Sequence, residues 1–298
     1  MRASRPLQVT IAFAIVYLVW GSTYLAIRIG VQDLPPVLFA GVRFLLAAPL
    51  MFAYAWLRGA RLPSSRRDWA LIGLTAVLML VGGNGLVTWA EHWVESNQAA
   101  LIIATSAIWM AALGALGGRG DRLSWPAGAG LLLGLAGVAL LVGGGLQLRS
   151  APWFAYAALL AAPILWAAGS VIARRYPLGC APLMAAALQM LVTGVIMTAL
   201  GLALGDARRW SPTPESLGAL LYLVVFGSCI AYGAYYWLVH EVTPAQLGTY
   251  AYVNPAIAVL LGWWWLDEVM ALPQIAGTLV ILAGVVLVTL ASRAPPVR

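Results

Sequence analysis

Ten apolar stretches, each about as long as one bilayer crossing, follow one another along this chain with only short polar breaks. That succession leaves few folds open. A helix crossing the hydrocarbon core needs roughly 20 mainly apolar residues, and in lipid the backbone must pair its own polar groups within each helix. Breaking the chain at charged, Pro-rich or Gly-rich points gives spans at about 8–29, 35–57, 68–90, 97–116, 124–145, 153–174, 182–203, 216–238, 245–266 and 272–291. Of the 298 residues 62% are hydrophobic and only 9% are charged, too little charge for a soluble domain of this size. The expectation is an all-α integral membrane protein with ten transmembrane helices. The first run, too long for a signal-peptide core and without a small-residue cleavage site, is expected to remain as a span.

The net charge of +7 would suggest nucleic acid in a soluble protein. Here every positive charge is an arginine and nearly all lie in the breaks, which makes them an orientation signal rather than a nucleic-acid surface. With the N-terminus in the cytoplasm, twelve arginines fall inside (positions 2, 5, 58, 61, 66, 67, 119, 122, 174, 175, 293 and 298) against Arg28, Arg149, Arg208 and Arg209 outside. Both termini are therefore expected to be cytoplasmic. Cys180 and Cys229 both lie in apolar surroundings and suggest neither a disulfide framework nor a metal site. No cofactor is implied.

The two halves echo each other. Trp20, Arg28 and Pro36 return 146 residues later as Trp166, Arg174 and Pro182, and Trp89, His92 and Gln98 return 148 later as Trp237, His240 and Gln246. So steady an offset is an internal duplication, dividing the chain into units 1–150 and 151–298. Five spans is an odd number, so the second unit must enter the membrane from the opposite side. Inverted repeats of this kind are an architecture of secondary transporters, with the substrate site near the midplane where the repeats meet.

Polar residues inside apolar spans must be paired or face a wet space. Gln246, Tyr250 and Asn254 form one line at i, i+4 and i+8 just before Pro255, whose ring is expected to kink the segment. Trp20 and Tyr24 share a face of the first span, and Trp166 and Ser170 repeat that arrangement in the sixth. Asn84 and Thr88 lie one turn apart in the third, and Tyr232 lies in the eighth. These ten residues are the candidate substrate contacts; Gly21, Gly83, Pro163, Gly169 and Pro255 are candidate hinges or gates. Arg43 is the one charge well inside a span, and serves either as a structural arginine or as an anchor for a substrate carboxylate. His92 and His240 fall at opposite membrane faces and read as loop or gate residues. Glycine and alanine stripes in the fifth and tenth spans suit close helix packing, as scaffold or as a homodimer contact.

Trp20-Gly21-Ser22-Thr23-Tyr24, Val42-Arg43-Phe44-Leu45, Gly83-Asn84-Gly85 and Tyr250-Ala251-Tyr252-Val253-Asn254-Pro255 resemble the EamA-type ten-helix permeases of the drug/metabolite transporter superfamily. The resemblance covers essentially the whole chain. That family often closes its fourth and ninth spans with Leu-Gly-Glu; here the ninth ends Leu266-Asp267-Glu268, whereas Leu116-Gly117-Gly118-Arg119 has lost the acid. The resemblance implies export of small metabolites by alternating access.

An aromatic, uncharged-polar lining suits a small amphipathic solute in the lipid bilayer's midplane, foremost a neutral or aromatic amino acid. Efflux of toxic or cationic compounds is the alternative, and a multispan lipid-modifying enzyme a remote one. No Asp or Glu lies at mid-membrane, which favours a facilitator or exchanger driven by the substrate's own gradient.

Overall fold

The computed structural model describes residues 4–94, 96–116, 123–143, 151–265 and 272–291, and among these no strand forms. The first half runs α1 (Arg5–Asp33), α2 (Pro36–Leu57), α3 (Arg66–Thr75), a π-helical segment (Ala76–Gly85), α4 (Leu86–Ala90), α5 (Ser96–Ala104), α6 (Ser106–Ala115) and α7 (Trp125–Gly143). The second half follows the same order: α8 (Trp153–Arg175), α9 (Pro182–Ala203), a 3-10 turn (Asp206–Arg209), α10 (Pro214–Tyr222), a second π-helical segment (Leu223–Tyr232), α11 (Gly233–Glu241), α12 (Pro244–Gly248), α13 (Tyr250–Trp265) and α14 (Leu272–Ala291).

Among the described residues, six stretches are long and apolar enough to cross a bilayer: Arg5–Asp33, Pro36–Leu57, Arg66–Ala90, Trp153–Arg175, Pro182–Ala203 and Pro214–Glu241. Shorter apolar helices run over Leu101–Ala115, Trp125–Leu141 and Ile275–Ala291. Leu132, Leu200, Leu221 and Leu279 are exposed on the outside of the bundle. A surface so apolar is stable against lipid and a liability in water. Trp125 and Trp153, at the first positions of α7 and α8, stand exposed as interfacial tryptophans do.

Local chemistry sets the helix ends. Proline opens α2, α9, α10 and α12 at the first turn, where its missing N–H costs nothing. Thr213 and Thr243 close capping boxes with Ser216 and Gln246. Gly59 and Gly205, both with φ of 79°, turn the chain out of α2 and α9. Two interruptions have the same cause: Thr105 Oγ1 donates to the Ile102 carbonyl at 2.7 Å between α5 and α6, and Thr249 Oγ1 to the Gln246 carbonyl at 2.6 Å between α12 and α13. A hydroxyl turned back on its own helix competes with the backbone ladder and bends it. The kink expected at Pro255 is thus preceded by a break six residues earlier at Thr249, and α13 runs on through the proline.

Glycine governs the tightest packing. A Cβ on Gly41 would fall 2.4 Å from the Thr198 nitrogen, one on Gly194 2.6 Å from the Leu45 nitrogen, and one on Gly201 2.9 Å from Leu38 Cα. Positions climb on α2 as they descend on α9, so the two helices are antiparallel. α7 and α14 meet likewise, Gly130 against Gly284 and Gly137 against Gly277. The small-residue stripes of the fifth and tenth spans are therefore spent on each other within the chain, and a homodimer through these helices would have to use their other faces.

Candidate functional site

The two π-helical segments bulge toward the centre of the bundle, where α1, α2, α8 and α13 also meet around one cavity. A π-turn widens the helix and re-aims the side chains that follow it, and such turns concentrate at functional sites. In the first segment Gly83 and Asn84 reach the cavity; in the second Gly227 and Tyr232 do.

Trp20 is the hub. Its ring lies 5.5 Å from Trp166 at 77°, 5.2 Å from Tyr250 at 74° and 4.9 Å from Tyr235. Edge-to-face pairs of this kind hold rings in fixed mutual orientation. The polar handles are satisfied within the protein: Trp20 Nε1 donates to the Gly227 carbonyl at 3.2 Å, and Trp166 Nε1 to the Tyr235 hydroxyl at 2.8 Å. The Tyr232 hydroxyl donates to Gln189 Oε1 at 2.6 Å, and Gln189 Nε2 donates to Thr75 Oγ1 at 2.6 Å. With these donors already bonded, the rings offer the cavity mainly apolar surface.

Of the ten expected contacts, Trp20, Tyr24, Asn84, Trp166, Tyr232, Tyr250 and Asn254 line this one cavity. The other three are not among its lining residues. Thr88 donates to the Asn84 carbonyl at 3.0 Å, and Ser170 bonds the Trp166 carbonyl and the Tyr235 hydroxyl, both at 2.8 Å. Gln246 is the third residue of α12 and folds back on Thr243. The break at Thr249 therefore separates it from Tyr250 and Asn254. Among the hinge candidates, Pro163 lines the cavity, and a Cβ on Gly83 would come 2.8 Å from Trp166 Cε3. Gly169 faces Met79 and Gly21 faces Ile257 at similarly close range. Tyr235 shares a face of the eighth span with Tyr232 by helical spacing, whereas Gln189 is a structural partner that periodicity does not single out. Glu95, Asp267 and Glu268 lie outside the described residues.

Arg43 enters the cavity from α2 with 4% of its surface exposed. Its Nε donates to Ser228 Oγ at 2.9 Å and its guanidinium lies 4.9 Å from the Phe44 ring centre. Gly227 leaves the space, since a Cβ there would stand 3.1 Å from Arg43 Nη2. Among the described residues no carboxylate lines the cavity and none pairs with Arg43. Asn84 and Asn254 each present a buried Oδ1 with no hydrogen-bond partner. One cation and two unspent acceptors thus share an aromatic chamber. Buried polar groups left unpaired cost about 1–3 kcal/mol each and ask for a partner.

The lining runs from Trp20 toward Ile27 on α1, and so toward the end of the bundle that carries Arg28. At the opposite end the two halves are sealed together. The Tyr17 hydroxyl bonds Thr249 Oγ1 at 2.9 Å, Arg5 pairs with Glu241 at 2.7 Å, and Pro244 packs on Gly114. Arg175 Nη2 donates to the Leu113 and Gly114 carbonyls at 2.9 and 3.0 Å, and to that of Leu116, at the end of α6. Tyr235→Phe should strip Trp166 Nε1 of its partner and Ser170 Oγ of one of its two; a loss of about 1–2 kcal/mol in unfolding free energy is expected, read by denaturant titration in detergent.

Comparison with known proteins agrees with this architecture. The EamA-like transporter family matches residues 8–143 and again 153–290. The chain is 40% identical to the uncharacterized inner membrane transporter YedA of Escherichia coli strain K12, over all of this chain and 96% of that one. It is 28% identical to an uncharacterized transporter of Archaeoglobus fulgidus, over 93% and 95% of the two chains, and 27% identical to protein PagO of Salmonella typhimurium, over 86% and 84%. A solved crystal structure superposes with a TM-score of 0.80 at 22% identity, covering 98% of this chain and all of that one, which speaks for the fold. With a family match in each half and a 40% identical relative along its whole length, the chain belongs to the EamA-like transporter family of the drug/metabolite transporter superfamily and is a multi-pass membrane transporter, not an enzyme.

Proposed function

We propose that the protein exports neutral or aromatic amino acids, or closely related amphipathic solutes, by alternating access through the central cavity. The observation that carries this reading is the uncompensated Arg43 guanidinium beside the unpaired Oδ1 atoms of Asn84 and Asn254, inside walls made by Trp20, Trp166 and Tyr250. A zwitterion complements that set: carboxylate to Arg43, ammonium to the amide oxygens, apolar side chain to the rings. A lipophilic cation would meet an unneutralised positive charge and no carboxylate.

The framework of the proposal is ten spans in two inverted five-helix repeats, with both termini cytoplasmic. The antiparallel pairing of counterpart helices, α2 with α9 and α7 with α14, supports it. So does the recurrence of a π-helical segment 147 positions on. On this reading the cavity opens toward the Arg28 end, and Arg175 with the Arg5–Glu241 pair locks the cytoplasmic gate.

Counterflow in proteoliposomes tests the substrate. Vesicles loaded with unlabelled tryptophan or leucine should accumulate the same labelled amino acid from outside, and should ignore tetraphenylphosphonium. Counterflow of the cation with none of the amino acids would overturn the reading. The gate has its own test. With Cys180 and Cys229 replaced by serine, a cysteine at Ser170 should react slowly with an impermeant maleimide supplied on the Arg175 side. Adding Arg175→Ala removes charge-assisted bonds worth about 1.5–3 kcal/mol, so labelling should quicken by about tenfold or more.

A further inference from the structure

Glu91 follows directly on the span Arg66–Ala90 and is completely buried. Neither of its carboxylate oxygens has a hydrogen-bond partner among the described residues. An ionised carboxyl does not persist in that setting unless something compensates it. The candidate is Arg28, which donates from Nη1 to the backbone carbonyl of Glu91 at 2.7 Å and so stands beside the side chain without bonding it.

The repeat supplies a control for what this contact requires. Arg174, the counterpart of Arg28, donates from its own Nη1 to the Val239 carbonyl at 3.2 Å and the Val242 carbonyl at 2.5 Å. Val239 stands 148 positions after Glu91 and occupies its place in the second copy. The arginine clip on the helix end needs only a main-chain oxygen, and a valine furnishes it. The carboxyl at position 91 is surplus to that structural task.

Its position connects it with the cavity. Asn84, Val87 and Glu91 fall at i, i+3 and i+7 on one helical face, and the first two line the cavity. Tyr24, another lining residue, lies one turn before Arg28 on α1, the helix whose arginine clips the Glu91 carbonyl. Of the other elements packed on α4, the π-helical segment before it carries no titratable group, α2 carries Arg43 in the cavity and Tyr54 toward its C-terminal end, and α8 carries Tyr156 at its start and Arg174 and Arg175 in its last turn. His92, next in sequence, is exposed.

We propose that Glu91 is a proton-binding site that links the transporter's conformational equilibrium to pH: the neutral acid belongs to the state with α1 closed on α4, and ionisation accompanies their separation. This rests on the transporter reading and adds proton linkage to it. The proton comes from water at the Arg28 end and binds one carboxylate oxygen. When water or the Arg28 guanidinium reaches the carboxyl, the proton returns to solvent.

Burial pushes the Glu91 carboxyl up to about 8 from 4.5, with Arg28 acting in the opposite direction. The sign of the linkage follows. Between those two values the folded protein holds a proton that the unfolded chain has released, so stability is greatest in acid and falls as pH rises toward 8.

The test compares the purified wild-type protein with Glu91→Gln, a permanently neutral isostere, and Glu91→Val, which copies the second repeat. Wild-type melting temperature should fall by about 5 °C or more between the two pH limits, and both variants should lose that fall. In proteoliposomes, wild-type amino acid counterflow should change with pH over the same interval, and that of Glu91→Gln should not. Superimposable pH profiles for wild type and both variants would overturn the proposal. Absence of amino acid counterflow, with the pH-dependent melting intact in wild type and lost in the variants, would overturn the substrate reading and leave the proton site standing.

Discussion

Arg43→Gln is expected to abolish useful transport while leaving the protein at least as stable as wild type. The two effects part because Arg43 costs stability where it is. Its guanidinium is buried with one side-chain hydrogen bond and no carboxylate among the described residues. Glutamine can still donate to Ser228, and removing an uncompensated buried charge is neutral or favourable. A substrate carboxylate, by contrast, would lose its counter-charge. Truncating one partner of a buried charge pair costs about 2–5 kcal/mol, so the half-saturating concentration in counterflow should rise by about thirtyfold or more. Arg43→Lys should fall between, because an ammonium keeps the charge and loses the planar fork. If the arginine were only a strut for Ser228 and Phe44, the variant would melt earlier and bind substrate unchanged. Amines lacking the carboxylate sharpen the distinction: they should bind wild type weakly and lose nothing further in Arg43→Gln, the non-additivity expected of two groups in direct contact.

The parts of this site that were legible from sequence are those fixed by one helix at a time. Trp20 and Tyr24 lie one turn apart on α1, and that spacing alone places them on a common face. The steady offset between halves matches the recurrence of a π-helical segment 147 positions on, although apolar periodicity alone does not distinguish a π-helical from an α-helical segment. What could not be read was whatever depends on a hydroxyl's choice of partner or on a neighbouring helix. The interruptions at Thr105 and Thr249 arise from single hydroxyl bonds to the third residue back, and apolar periodicity does not register them. Gln246 fell out of its expected line for a local reason, its capping of Thr243. Gln189 matters through hydroxyls on other helices. Glu91 looked like an acid at a span end; its complete burial depends on what α1 and α8 lay over it.

The largest stability effect is expected at Gly41, on the face of α2 packed against α9. Across the α2–α9 contact a Cβ at this position would lie 2.4 Å from the Thr198 nitrogen and 2.8 Å from its Cα, both main-chain atoms of a helix that cannot swing aside. Relief requires moving the whole of α9 outward, which would also open the matched contacts at Gly194 and Gly201. Membrane helices are held together by such close van der Waals packing, since lipid offers no hydrophobic drive to keep them paired. Gly41→Val should therefore cost about 3 kcal/mol or more, the upper range for overpacked positions, and little protein should survive detergent extraction as a monodisperse species. Gly73 is the control. Nothing lies within 4 Å of a Cβ there, and the residue sits within α3. Gly73→Ala should stabilise slightly, by about 0.5–1 kcal/mol from helix propensity. Equal yields and equal melting temperatures for the two variants would mean that the α2–α9 contact is looser than the spacing of its glycines implies. The antiparallel pairing of counterpart helices would then lose its mechanical basis, and with it the fixed frame on which the cavity's aromatic walls depend.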